Sequence, residues 1–443
     1  MDARLELAAS ILLKLRQQGH IALLVGGCVR DRLLGLEPKD YDVATSATPD
    51  QISAAFPNAQ LVGAHFGVSL ITQSPGISLE VATLRSEGEY SDGRRPDAVA
   101  FVADPALDAR RRDFTINGLF EDPLSETILD YVGGQADLSA KLIRAIGDPA
   151  RRFQEDHLRM LRAVRFAARL NFAIEPDTLS AIRAQASAIT RISAERIRDE
   201  LIRILVEGHP GYGLELLDAT NLLPQILPEV KAFQGVEQPP EFHPEGDVWK
   251  HVLSMLSQMH NPSASLALGV LLHDVAKPAT FQRADRIRFN GHAEIGAAMA
   301  EEILTRLRFS NEDVHLVSSL VLNHMRFKDV RNMRISTLKR FLCLPHFDEH
   351  LELHRLDCLA SNGYTDSLEF VREKLAELQD QQLRPVNLIN GTDLIAAGYT
   401  PGPKFKQVLT AVETAQLEGE VRSRDQALEL ARRVMDGSPY QNE

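Results

Sequence analysis

The sequence of 443 residues has few cysteines, a single tryptophan and no long hydrophobic run. Its three cysteines, Cys28, Cys343 and Cys358, form no Cys-x-x-Cys pair and are too few to cross-link a fold, which favours a cytoplasmic location. No apolar stretch is long enough to cross a bilayer, and Glu6 within the apolar N-terminus predicts an amphipathic helix and not a signal peptide. We therefore expect no membrane partner.

An excess of positive charge is also lacking, since the net charge is −12. This excludes a globally basic nucleic-acid coat, so any RNA must be bound by local patches. Such patches occur in the N-terminal half, at Arg110–Arg112, Arg151–Arg152 and the series Arg159, Arg162, Arg165 and Arg169. The length predicts about two to four domains.

A glycine turn followed by two carboxylates is the first candidate site. The apolar run 21–25 ends in Gly26-Gly27, a helical pattern follows, and Asp40-x-Asp42 then leads into an apolar strand. Glycines let a backbone approach a triphosphate, and two acidic side chains on one strand face need a cation such as Mg²⁺. Together these features predict a nucleotidyl-transfer site. The alternative is an ordinary turn with solvated loop acids.

Two further strands are predicted in this half, at 60–72 and 77–84. Glu80 lies in the second strand, where a carboxylate is either an edge residue or a third metal ligand. The polar stretch Ser86–Pro96 predicts a flexible loop.

An acid–arginine helix is predicted around Asp156 and Arg159, which are three residues apart and hence neighbours. The plain alternative is a surface ion pair of little energetic value. Beside a nucleotidyl-transfer site, however, a carboxylate acceptor and a guanidinium donor complement the pairing edges of cytosine and adenine. Uracil and guanine present the reverse pattern and would leave buried groups unpaired.

Four ordered motifs give a specific resemblance over residues 20 to 205. They are Gly-Gly-x-Val-Arg-Asp with Asp-x-Asp (26–42), Arg-Arg-Asp-Phe-Thr-x-Asn (111–117), Asp-Pro-x-x-Arg-Phe-x-Glu-Asp-x-x-Arg-x-x-Arg (148–162) and Ile-Ser-x-Glu-Arg-Ile-x-x-Glu-Leu (192–201). The sequence resembles the family of class II tRNA nucleotidyltransferases and bacterial poly(A) polymerases. One departure is Gly118, where the family pattern has alanine.

The resemblance implies residue roles and a polymerase-β-like head. Asp40 and Asp42 are the expected catalytic Mg²⁺ ligands, with Glu80 as the third carboxylate. Arg111 and Arg112 would face the triphosphate, Asp113 the sugar, and the Ser86–Pro96 loop would tune nucleotide preference. The full set expected to bind nucleotide is Gly26, Gly27, Arg30, Arg111, Arg112, Asp113, Asn117, Asp156, Arg159, Arg162 and Arg165.

The second half is rich in histidine, with ten of the fourteen histidines between His243 and His354, after a predicted linker at 231–244. The ordered set His251, His273-Asp274, His292, His324, Asp357 suits a divalent transition metal. Any one of these histidines taken alone is an ordinary core or surface residue. With Ala276-Lys277-Pro278, the set resembles the HD phosphohydrolase domain. That resemblance implies His251, His273, Asp274 and Asp357 as ligands, with His292 and His324 completing a two-metal site if both face inward.

We therefore predict an α+β chain. It comprises a nucleotidyltransferase head with a mixed sheet (1–145), an all-α neck and body (146–230), an all-α HD domain (231–375) and a helical tail (376–443). The tail resembles that of HD-bearing family members, and helix packing is favoured over direct RNA contact there.

The predicted activity is template-independent addition of CCA to tRNA 3′ ends from CTP and ATP, with an additional phosphohydrolase activity. Alternatives are a poly(A) polymerase, an A-only or CC-only enzyme, or an HD hydrolase whose degenerate head only binds RNA. The sequence leaves the oligomeric state open.

Overall fold

The computed structural model describes residues 3–62, 67–74, 76–88, 98–378, 383 and 385–437. The chain divides into two compact units, residues 1–232 with 306–309 and residues 233–305 with 310–443. None of the described helices is both long and apolar enough to cross a membrane.

The first unit contains a seven-stranded sheet in the order β3-β4-β5-β2-β1-β8-β9. All neighbours are antiparallel except β2 and β5, so the sheet is mixed, as predicted. These strands are β1 Ala22–Val25, β2 Asp42–Thr45, β3 Ala59–Leu61, β4 Val68–Ser74, β5 Ile77–Thr83, β8 Leu119–Asp122 and β9 Thr127–Asp130. The short pairs β6 Arg85–Glu87 with β7 Val99–Phe101, and β10 Leu142–Ile143 with β11 Ala173–Ile174, lie outside it.

The interior strand β1 is buried at all four residues because β2 and β8 flank it and helices α1 and α2 pack against it. The helices that accompany the sheet are α1 Ala3–Gln17, α2 Gly27–Leu33, α3 Pro49–Ala55, α4 Pro105–Arg111 and α5 Gly134–Ala140. The predicted strand 60–72 is represented by β3 and β4, and residues 63–66 between them lie outside the described residues. Likewise, residues 89–96 of the predicted loop Ser86–Pro96 lie outside them, whereas Ser86 and Glu87 belong to β6.

The rest of the first unit is helical. Its helices are α6 Pro149–Glu155, α7 Arg159–Leu170, α8 Pro176–Gln185, α9 Ala194–Val206, α10 Pro210–Ala219, α11 Leu223–Ile226 and α12 Pro228–Lys231. Proline occupies the first turn of α10, α11 and α12, where its missing N–H costs nothing, so Pro210, Pro224 and Pro228 mark helix starts.

The second unit is helical apart from the hairpin of β12 Phe281–Arg283 and β13 Ile287–Phe289. Its helices are α13 Val248–Ser257, α14 Ala264–Leu272, α15 Lys277–Thr280, α16 His292–Arg306, α17 Asn311–Asn323, α18 Ile335–Leu342, α19 Phe347–Ala360, α20 Asp366–Glu377, α21 Gly391–Ala396, α22 Pro403–Glu418 and α23 Arg424–Met435. The last three share an apolar core that includes Leu394, Val408 and Leu430.

Candidate functional sites

The glycine turn after β1 requires glycine for two reasons. Gly26 has φ +80°, a conformation that side chains disfavour, and a Cβ atom there would lie 3.2 Å from Nη1 of Arg112. The turn therefore brings the Arg112 guanidinium against the backbone where α2 begins. Arg112 also stacks on the Phe120 ring, with 5.4 Å from its Cζ to the ring centroid.

The predicted carboxylates lie beside this turn. Asp42 opens β2 and is directly opposite Glu80 of the parallel strand β5. Asp40 precedes the first residue of β2 and is therefore not part of the strand, contrary to the prediction. Its side chain is 87% exposed. Burial raises the pKa of Asp42 to about 6, helped by the charges of Glu80 and Asp40 and opposed by Arg112. Several carboxylates that lie close together and are only partly neutralised by Arg112 favour the binding of a divalent cation.

A buried network of polar side chains lies next to the Gly26-Gly27 turn. Arg30 is 2% exposed and donates to Asp31 at 2.8 Å and to Asn117 at 2.7 Å. Asn117 in turn donates to Oδ1 of Asp113, and Arg162 donates to Oδ2 of Asp113 at 2.9 Å. Burial acts to raise the pKa of Asp113, but Arg162 and Asn117 outweigh it and hold that pKa well below its usual range. This network holds the Arg30 guanidinium against the turn, where a Cβ atom at Gly27 would lie 3.7 Å from Nη2 of Arg30.

The prediction of one continuous helix through Asp156 is wrong, because one helix ends before this residue and another begins after it. Asp156 has φ −147° and ψ 105°, between the end of α6 and the start of α7. Its Oδ1 accepts the N–H of Leu158 at 3.0 Å, a local bond that competes with helix formation. Its Oδ2 accepts from Arg196 at 2.9 Å, while Arg159 donates to Glu155 at 2.7 Å. The predicted i,i+3 geometry is therefore replaced by these separate partners.

The remaining arginines of α7 pair with buried acids. Arg165 is 3.2 Å from Glu200 of α9, and burial lowers the pKa of Arg165 to about 10. Nε of Arg165 and Oε2 of Glu200 are both buried without a hydrogen-bond partner.

Sequence reasoning missed Asp108, a 1% exposed carboxylate in α4 that pairs with both Arg111 and Arg112. The signal was present in the sequence, because an acid three and four residues before two arginines shares their helix face.

The second unit gathers the predicted histidines and acids into two adjoining clusters. In each cluster the candidate ligand atoms lie within 4.8 Å of one another; the clusters are His251, His273 and Asp357, and Asp274, His292 and His324. The distance from His251 Nε2 to Asp357 Oδ1 is 3.2 Å, and His292 Nε2 is also 3.2 Å from His324 Nε2. The structure therefore brings all six residues together, with His292 and His324 facing inward.

The ring orientation of these histidines is fixed by their other nitrogen. Nδ1 of His273, His292 and His324 donates to the carbonyl three residues earlier, at 2.9, 2.8 and 2.6 Å. Nδ1 of His251 lies 2.7 Å from the Glu245 carboxylate. Each Nε2 consequently faces the cluster, where Nε2 of His251 lies 3.2 Å from Oδ1 of Asp357 and Nε2 of His273 lies 3.1 Å from Oδ2 of Asp274. Burial lowers the pKa of His324 to about 3, which keeps it in the neutral, metal-binding form.

Part of this centre comes from the predicted linker at 231–244 and the residues just after it. His243 and His251 share Oε1 of Glu245. Gln238 accepts from Lys277, which is also 2.7 Å from Asp274. A neighbouring cavity of about 950 Å³ is lined by every member of the two clusters except His251. Basic and aromatic side chains, including Arg288, Lys328, Phe289 and Tyr364, also line it.

Three family models match the chain. A poly(A) polymerase head domain matches residues 22–144, a probable RNA- and SrmB-binding site of polymerase A matches 171–234, and a putative tRNA nucleotidyltransferase domain 2 matches 289–431. The last of these models spans the predicted boundary at 375.

Similar proteins cover the whole chain. The A-adding tRNA nucleotidyltransferase of Deinococcus radiodurans is 34% identical over 94% of this chain and 96% of its own length. The CCA-adding enzyme of Lactiplantibacillus plantarum is 31% identical over 99% of both. The CCA-adding enzyme of Levilactobacillus brevis is 46% identical over 49% of this chain and 54% of its own length, so this match spans about half of each protein.

A solved structure, the Bacillus stearothermophilus CCA-adding enzyme in complex with CTP, superposes with a TM-score of 0.75 at 27% identity. The comparison covers 98% of this chain and 99% of that one. With the full-length relatives, it establishes that this chain belongs to the family of tRNA nucleotidyltransferases that includes the CCA-adding enzymes.

Proposed function

We propose that this protein adds CCA to tRNA 3′ ends, using CTP and ATP without a nucleic-acid template. The observation that carries the proposal is the Asp42–Glu80 pair on adjacent parallel strands, beside the Gly26 turn and Arg112. Acids and a glycine turn at one place suit a nucleoside triphosphate with its cation. The full-length relatives named for A addition and CCA addition support tRNA as the acceptor.

Asp40, Asp42 and Glu80 would hold Mg²⁺ in this proposal. When bound, Mg²⁺ favours ionisation of the RNA 3′-hydroxyl and neutralises the triphosphate. Arg112 contributes a fixed positive charge at the same turn, where charge develops on the departing pyrophosphate. No covalent nucleophile is required.

Base selection is assigned to Asp156 and Arg159. Each carboxylate oxygen accepts two hydrogen bonds, so Asp156 retains acceptor capacity after binding Arg196 and the N–H of Leu158. Those two donors would hold its orientation while it accepts from the exocyclic amine of cytosine or adenine. Arg159, held by Glu155, would donate to the adjacent ring nitrogen.

The test is extension of tRNAs that end before the CCA, after C and after CC, each with CTP, ATP or both. Stepwise addition of C, C and A followed by a stop supports the proposal. Addition of A only to the CC-ending tRNA would replace it with an A-adding activity, as named for the Deinococcus radiodurans relative. An A ladder on unrelated RNA would indicate a poly(A) polymerase, and no addition would favour a head that only binds RNA.

A second activity, hydrolysis of phosphoesters at an HD-type centre, is favoured by one observation. Nε2 of each of the histidines His251, His273, His292 and His324 lies 3.1 to 3.8 Å from a carboxylate oxygen of Asp274 or Asp357. This donor set, with Asp274 and Asp357, would hold one or two divalent transition-metal ions, and such ions would supply Lewis-acid chemistry that makes hydroxide available at neutral pH for attack on a phosphoester. Release of the phenol from a nitrophenyl phosphomonoester and from a nitrophenyl phosphodiester, screened with Mn²⁺, Ni²⁺ and Zn²⁺, tests it. Absence of release with every metal would contradict it.

The cytoplasmic location stays a prediction from the cysteines, and Cys28, Cys343 and Cys358, all within the described residues, form no disulfide.

A further inference from the structure

Asp108 forms ion pairs with Arg111 and Arg112, two arginines to which the family resemblance gives the same role of facing the triphosphate. It is on α4, whose Ala109 is fully buried in the core beside β1 and β8. At Arg112 the chain leaves the helix with ψ 167°, yet both guanidiniums remain in contact with Asp108. The carboxylate is thus anchored in the core while its partners stand at the edge of the site.

The two oxygens of Asp108 divide the arginines between them. Oδ1 accepts from Nε of Arg111 at 2.8 Å and lies 2.7 Å from its Nη2. Oδ2 accepts from Nε of Arg112 at 3.1 Å and lies 3.0 Å from its Nη2. Oδ1 also accepts the backbone N–H of Arg85, which further fixes the carboxylate.

The remaining guanidinium nitrogen, Nη1, has different surroundings in Arg111 and in Arg112. Nη1 of Arg111 donates to Glu87 at 3.3 Å, and Arg85 pairs with the same Glu87 oxygen, so Arg111 is engaged on every side. Nη1 of Arg112 instead lies 3.2 Å from where a Cβ atom of Gly26 would be, and the Arg112 charge acts on Asp42 by lowering its pKa. Only Arg112 of this pair therefore presents a guanidinium edge at the glycine turn.

We propose that Asp108 is a positioning residue for the incoming nucleotide, holding Arg112 by Nε and Nη2 so that Nη1 faces the triphosphate at the Gly26 turn. This inference rests on the proposed nucleotidyl transfer. A guanidinium gripped along one edge is pre-organised, and less conformational freedom is lost when the ligand binds. Asp108 acts through Arg112 and does not touch the nucleotide itself.

The experiment measures steady-state constants for CTP and ATP with the full-length protein and a tRNA primer. In Asp108→Asn, we expect the KM for both nucleotides to rise about tenfold, as for a lost charge-assisted hydrogen bond, with kcat changed less. The two KM values should rise together because the triphosphate is common to both, and the KM for tRNA should not change. Glu175→Gln, which alters another buried carboxylate in the same unit, is the matched control and should leave the nucleotide KM within about twofold.

A double-mutant cycle separates positioning from a merely structural role. If Asp108 acts through Arg112, Asp108→Asn adds no further rise in KM to an Arg112→Gln background. An additive effect, or an unchanged KM in folded Asp108→Asn, overturns the inference. Should Asp108→Asn fail to fold, Arg112→Lys keeps the charge but loses the two-nitrogen grip. A normal nucleotide KM in that variant would equally overturn it. Absence of addition by the unaltered protein would instead refute the proposed function.

Discussion

Arg169, near the end of α7, donates to Oδ2 of Asp31 in α2 at 2.9 Å, although the two residues are 138 positions apart. Asp31 is buried, and its other oxygen receives Arg30. One carboxylate thus joins the helix after the glycine turn to the helix after Asp156, so the predicted phosphate and base sites share a support.

Removing that support should weaken the first unit. Arg169→Gln leaves the Asp31 oxygen without its charged partner, and we expect a loss of about 1–3 kcal/mol. Hydrogen exchange of the α2 amides, whose protection should fall, is the measurement. Arg151→Gln alters an arginine that is 73% exposed and 3.7 Å from its acid, and it should change stability by less than about 0.5 kcal/mol. Equal effects of the two substitutions would contradict the prediction.

Asp42→Asn should abolish nucleotide addition. The substitution keeps the shape of the side chain but removes the charge that faces Glu80, and we expect the rate to fall at least about a thousandfold. Incorporation of labelled CTP into tRNA is the assay. Asp50→Asn, on an exposed part of α3, is the control and should retain the rate. Substantial incorporation by Asp42→Asn would remove Asp42 from the catalytic set.

Asp156→Ala should relax base selection more than it slows addition. Without the carboxylate acceptor, UTP and GTP no longer face an unpaired buried group, so their use relative to CTP and ATP should rise about 10- to 100-fold. Competition assays with each nucleotide pair measure the ratio. Asp199→Ala, an exposed acid on α9, should leave it unchanged. If Asp156→Ala discriminates as well as the unaltered chain, base reading lies elsewhere.

Asp274→Ala should lose metal in the second unit while CCA addition continues. Asp274 is 1% exposed and within 4 Å of Nε2 of His273, His292 and His324, so its loss removes a central anionic ligand. Metal content after dialysis and elemental analysis is the measurement, with Asp285→Ala, an exposed acid of the hairpin, as control. Retention of metal in Asp274→Ala would contradict the proposed ligand set.

The second unit should lose stability in mild acid through His350. Burial lowers the pKa of His350 to about 4, below the usual value near 6.5, so the unfolded chain binds the proton first. The contribution of His350 to stability is then full above pH 6.5 and falls as the pH drops towards 4, by about 2 kcal/mol between pH 7 and pH 5. Chemical denaturation of the metal-free protein, followed by Trp249 fluorescence, measures this. His350→Gln should reduce the pH dependence, whereas His315→Gln, an exposed histidine, should not.

The strands and the glycine turn were predictable because apolar runs and glycines leave direct marks in sequence. The break at Asp156 was not, since helical spacing continues through it and only the side-chain bond to the N–H of Leu158 ends α6. Gly118, noted as a departure from the family pattern, has a packing reason. A Cβ there would lie 2.7 Å from Val132, whose side chain takes up the space.

The histidine clusters were predictable as a set of candidate ligands but not as a geometry. Spacing along the chain does not reveal which ring nitrogen faces inward, because that depends on carbonyls of the local backbone. Glu245 and His243 escaped notice because proline-rich composition indicated a linker, whereas the segment packs against Lys277 and His251.

The three carbonyls that orient His273, His292 and His324 belong to Val270, Phe289 and Val321, each three positions before its histidine. A carbonyl is supplied by every amino acid, so substitutions at those three positions would leave the imidazole tautomers intact as long as the backbone keeps its path. The inward-facing nitrogens of these three histidines are thus encoded by chain geometry, whereas that of His251 depends on the Glu245 carboxylate. Relatives could diverge freely around this centre and still present the same donors.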